Sequence, residues 1–79
     1  MNAKEMFEAL GYKEKPKNGN WLRFKEERQF RTNTISFDLQ GKSYSTHATD
    51  EFGDTVYFGV TNELHLAITQ QMKELGWLK

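Results

Sequence analysis

The hydrophobic residues change their spacing twice along this chain, and that change limits the folds open to it. Ala3, Met6, Phe7 and Leu10 stand three, four and seven residues apart, which is one stripe of a helix, while Lys4, Glu5 and Glu8 turn away. From residue 21 the period falls to two. Leu22 and Phe24 alternate with Trp21, Arg23 and Lys25, and Ile35, Phe37 and Leu39 alternate with Ser36 and Asp38. The helical period returns in Leu64, Ala67, Ile68, Met72 and Leu75. A chain of 79 residues has room for one core, so residues 1–79 are read as a single domain. Strands joined by short turns must pair antiparallel, because parallel pairs need longer crossovers. The sequence therefore predicts an α+β domain: an antiparallel meander of four to five strands packed by an N-terminal and a C-terminal helix.

Start and stop signals sharpen the boundaries. Asn2 and Glu5 have the spacing of a capping box, and Thr61 is placed to cap the last helix with Val60 as a hydrophobic staple. Leu10-Gly11-Tyr12 and Leu75-Gly76-Trp77 share one stop pattern, in which a left-handed glycine lets an aromatic fold back on the helix. Pro16 and Asn18-Gly19 make residues 13–20 read as a hairpin tip, and Gln40-Gly41-Lys42 as a tight turn. Beyond it, residues 43–48 alternate as a strand, with Tyr44 and Thr46 on one side and Ser45 and His47 on the other. Residues 49–54 read as a loop, and Val56, Phe58 and Val60 as a last short strand.

The opening Ala3-Lys4-Glu5-Met6-Phe7 with Leu10-Gly11-Tyr12, the strand Ile35-Ser36-Phe37-Asp38-Leu39, and the ending Ile68, Gln70-Gln71, Lys73-Glu74-Leu75-Gly76-Trp77 resemble small uncharacterised phage and prophage proteins of Gram-positive bacteria. The resemblance implies a phage-derived accessory protein working in the cytoplasm of a bacterial host. It carries over no functional residue.

Composition removes several classes of function. With no cysteine there is no disulfide framework, thiolate metal site or cysteine nucleophile, and a small extracellular domain would normally carry disulfides. No apolar run approaches the length of a membrane span, and the first residues lack a signal peptide's basic start and apolar stretch. A soluble, cytoplasmic protein with no membrane partner is expected. A core of this size supplies only about 3–5 kcal/mol, which makes self-association or a protein partner a reasonable expectation.

Chemical motifs are missing. Ser43, Ser45, His47 and Asp50 sit on one strand and its loop, where alternation makes them diverge rather than converge as a triad. Asp50, Glu51 and Asp54 surround Gly53, but a calcium loop wants its glycine at the sixth position and an acid at the twelfth, where Thr61 stands, and the two histidines, His47 and His65, are not at zinc-binding spacing. No phosphate-binding glycine motif occurs. No enzyme, cofactor or metal is expected.

Two surfaces remain. Eleven basic and eleven acidic residues balance overall, which argues against a protein that coats nucleic acid, yet residues 1–42 hold nine basic and six acidic groups. Arg23, Lys25, Arg28 and Arg31, with Lys13, Lys15 and Lys17 nearby and Trp21 beside Arg23 and Lys25, make up a candidate nucleic-acid face. Glu14, Glu26 and Glu27 lie among those cations in the sequence and would offset them. Leu66 points away from the stripe of the last helix, and Tyr57 away from Val56 and Phe58. Trp21, Tyr57 and Leu66 are therefore candidates for contact with a protein partner or a second copy. A non-enzymatic protein-interaction module is the first functional expectation, and a weak nucleic-acid-binding accessory protein the second.

Overall fold

A computed structural model describes residues 1–78 as helix α1 (Ala3–Ala9), strands β1 (Lys13–Glu14), β2 (Trp21–Glu27), β3 (Arg31–Asp38) and β4 (Ser43–Asp50), and helix α2 (Asn62–Glu74). The four strands form one antiparallel sheet in the order β1-β2-β3-β4, with both helices packed on one face. This is the α+β meander that the periodicity predicts.

The helix ends behave as their residues dictate. Asn2 Oδ1 accepts from the Glu5 amide at 2.8 Å while the Asn2 amide donates to Glu5 Oε1 at 3.0 Å, closing a capping box. At the other end the Tyr12 amide donates to the Phe7 carbonyl and the Gly11 amide to that of Glu8. Trp77 and Gly76 repeat the pattern on Met72 and Lys73. Both are glycine stops with φ of +94° and +78°, a region costly for any residue with a Cβ. Thr61 caps α2 through Oγ1, but Val60 is exposed and forms no staple. Glu74 of α2 accepts from the Ala3 amide at 2.7 Å, so an acidic side chain meets the positive end of α1 and ties the two helices together.

The core is aromatic. Phe7 of α1 stacks on Phe24 of β2 with centroids 4.1 Å apart, and Phe37 of β3 meets both rings edge-on at 6.3 Å. Ala3, Tyr12, Leu22, Ile35, Leu64, Ala67 and Ile68 complete it. No β4 residue belongs to this cluster. Ala48 is the one buried residue of β4, and Tyr44 reaches Phe37 only with a half-exposed ring.

Three expectations need correction. Residues 13–14 form a strand paired with Phe24 and Lys25, and the turn lies further on around Asn18 and Gly19. Two paired residues are too few to leave a period in the sequence. The predicted last strand, Val56 to Val60, does not form. Residues 54–56 touch the end of β4 through the Thr55 bridge to Thr49, the Asp50 amide bond to the Asp54 carbonyl and the Val56 amide bond to the Ala48 carbonyl, and the pairing stops there. Beyond them the Arg31 guanidinium captures the Tyr57 carbonyl and Phe58 turns towards the core, carrying the chain under the sheet to α2. β4 itself runs to Asp50, two residues further than its alternation shows.

Candidate functional site

Because successive side chains alternate between faces, the cross-strand register determines which residues look away from the helices. One row is Lys13, Lys25, Thr34 and His47, and the next is Arg23, Ser36 and Ser45. Trp21, Asp38 and Ser43 form a third row. Neither helix covers this outer face. A shallow depression crosses it, lined by Trp21, Arg23, Lys25, Ser36, Ser45 and His47.

The charge on this face is one-sided. Arg23 lies over the Trp21 ring at 5.1 Å, and its Nε donates to Ser36 Oγ at 3.3 Å. Both contacts leave the guanidinium's charge without a carboxylate. Lys13 stands directly opposite Lys25, an arrangement that disfavours folding and is usually avoided. Of the two acidic residues on the face, Asp38 is committed to the amides of Gln40 and Gly41, and Glu27 is bridged by Lys15 at 2.7 Å. The Glu27 carboxyl is held below the usual range first by the Lys15 hydrogen bond and then by the charges of Lys15, Lys25 and Lys13. One carboxylate thus sits among three ammonium groups.

The other face uses its charges differently. Asn33 Nδ2 donates to Glu26 Oε1 at 2.9 Å, Arg28 Nη2 bonds Glu26 Oε2 at 3.2 Å, and Arg31 Nε donates to Asn33 Oδ1 at 2.6 Å. The Arg31 guanidinium also lies 5.9 Å from the Phe58 ring. These groups line a cleft of about 390 Å³ between the sheet, Tyr12 and the start of α2. Burial, and secondarily Glu26, pushes the Tyr12 hydroxyl above its ordinary value near 10.

The structure therefore divides the residues singled out from the sequence. Trp21, Arg23 and Lys25 come together. Arg28 and Arg31 lie on the opposite face and are consumed by the cleft network, so they do not extend the basic surface. Glu26 leaves the basic face with them, and Glu14, in register with Phe24, also alternates away from it. Tyr57 is 84% exposed, but it lies in the connection after β4 with its ring against Gly59, away from Trp21. Leu66 is 58% exposed on α2 with no apolar companion on its side of the helix. Sequence reasoning put Lys13 near the basic face as part of a hairpin, not in register with Lys25, and left His47 out of the face. Lys13 belongs to a strand too short to recognise, and His47 becomes a neighbour of Lys25 only through the register of three strands.

Among the described residues no three His, Asp or Glu side chains gather where they could hold a metal ion, and no helix is long and apolar enough to cross a membrane. Comparison with protein-family models, curated proteins and solved structures finds no match to this chain.

Proposed function

We propose that the protein is a non-enzymatic binding module, and that the outer face of its sheet binds single-stranded nucleic acid. The observation that carries this reading is the Lys13–Lys25 pair beside Arg23 and Trp21, on a face with no helix over it and one bridged carboxylate among three lysines. Like charges set directly opposite cost stability, and a bound phosphate backbone would relieve that cost. The Trp21 ring, 37% exposed beside the cations, offers a surface on which a base can stack. A flat sheet bearing hydroxyls and a tryptophan suits unpaired strands better than a duplex, whose grooves admit a helix or ribbon. The setting we propose, from the resemblance described above, is a phage-derived accessory role in bacterial cytoplasm.

A protein partner is the second reading. Phe30, Phe52 and Tyr57 are all exposed, and the Arg31–Asp50 register puts the first two at the same end of the sheet, where the Arg31 side chain also holds the Tyr57 carbonyl. The discriminating experiment is an amide-resolved NMR titration with short mixed-sequence DNA and RNA strands at 50 and 200 mM salt. Binding at the outer face shifts Trp21, Arg23, Lys25 and His47, and three phosphate contacts weaken it about twentyfold between those salts. Shifts confined to residues 28–31 and 52–58, or no shifts at all, reject the nucleic-acid reading.

A further inference from the structure

The sheet has two edges, and they differ sharply. The β1 edge is two residues long, flanked by Lys13, Glu14 and Lys15 and closed by Pro16, a combination of charge, brevity and proline that blocks further strand pairing. β4 has none of these devices. It runs for eight residues, Ser43 to Asp50, and carries no formal charge before its last one.

Hydrogen-bond direction identifies which groups of β4 are open. The Ala48 carbonyl accepts from the Val56 amide at 2.9 Å, and the Asp50 amide donates to the Asp54 carbonyl at 2.9 Å. Even-numbered backbone groups of β4 thus point away from β3. Residues 54–56 occupy that edge from Ala48 onwards. Among the described residues the amides and carbonyls of Tyr44 and Thr46 have no backbone partner, at the edge of a segment, residues 43–47, centred on Ser45.

We propose that this open edge is a self-pairing site, at which two copies of the chain join β4 to β4 antiparallel about a two-fold axis at Ser45. Tyr44 then lies opposite Thr46 of the second copy, and each pair exchanges two N–H···O bonds. This register pairs all four open groups of Tyr44 and Thr46. A shift one way would require the Ala48 carbonyl, which Val56 already occupies; a shift the other way leaves Thr46 without a partner. The occupant is a second copy rather than an unrelated strand because the open segment matches its own length and meets itself without a charge. The balanced chain also adds no net repulsion between copies. Tyr44, 42% exposed beside Phe37, gains a neighbouring strand to cover it. The two outer faces become one continuous surface, since Ser45 and His47 line the depression on each. Pairing does not depend on which ligand that surface takes.

Sedimentation equilibrium of the full chain from micromolar to millimolar concentration tests this. The mass should rise from 9.3 kDa towards twice that value. Ser45→Lys and Ser45→Glu each place like charges opposite one another at the axis and should each weaken association about fivefold, while an equimolar mixture restores it. Thr46→Pro removes an amide that β3 does not use and should abolish association. The exposed Ser45 pair decides the matter if the proline variant does not fold. A chain that stays at 9.3 kDa at millimolar concentration overturns the proposal, as does association unchanged by Ser45→Lys or a mixture no tighter than its components.

Discussion

The two faces of the sheet carry similar side chains and use them in opposite ways. On the helix side, Arg28 and Arg31 are bonded to Glu26, Asn33 and the Tyr57 carbonyl. On the outer side, Lys13, Arg23 and Lys25 make no ion pair among the described residues. Four arginines and lysines that stand within nine residues of one another in sequence are thus divided by alternation into a structural set and a free set. Charge in a strand protein is therefore best counted face by face, because a balanced total conceals a one-sided surface.

Four substitutions bear on that contrast. Phe24→Ala removes the ring stacked on Phe7 and should cost about 3–5 kcal/mol, enough to unfold so small a domain in thermal or urea melts. Trp21→Ala, three residues away on the other face, should leave the melt within about 1 kcal/mol. Its effect should appear in nucleic-acid affinity, which stacking predicts to fall by about 1–3 kcal/mol, measured by fluorescence anisotropy. A Trp21→Ala protein that unfolds would break the division between structural and binding faces.

The third test concerns the cleft. The raised folded-state value of Tyr12 means that the unfolded chain loses its phenolic proton first. Stability is then full below pH 10 and is lost as pH rises through the folded value. Tyr12→Phe should flatten that alkaline decline in a pH series of melts. Glu27→Gln gives the smallest effect. It frees Lys15 and removes the carboxylate among the lysines, so nucleic-acid affinity should rise a few-fold at low salt and converge with the native protein at high salt. Stability barely changes, because the pair is exposed.

Much of the fold was legible because local and global signals agree. The capping box at Asn2, both glycine stops and the alternation of Phe24, Ile35 and Phe37 each use contacts within a few residues or a strict period. Where the structure departs from the pattern, a distant contact decides. Val56, Phe58 and Val60 alternate like a strand, but Arg31, 26 residues earlier, takes the Tyr57 carbonyl and the chain leaves the sheet. The proposed binding face was half legible. Trp21, Arg23 and Lys25 share a face by period alone, whereas the removal of Arg28, Arg31 and Glu26 depends on a network across β2 and β3. Lys13 and His47 join only through register.

The most direct measurement compares two variants of equal charge on opposite faces. Lys25→Gln and Arg28→Gln each remove one positive charge, and anisotropy with a labelled single strand at low salt reads both. A polyanion-binding outer face requires Lys25→Gln to weaken binding several-fold and reduce its salt dependence, with Arg28→Gln indistinguishable from the native protein. Equal losses from the two variants would mean that the strand responds to net charge alone, and would contradict a binding site on the outer face.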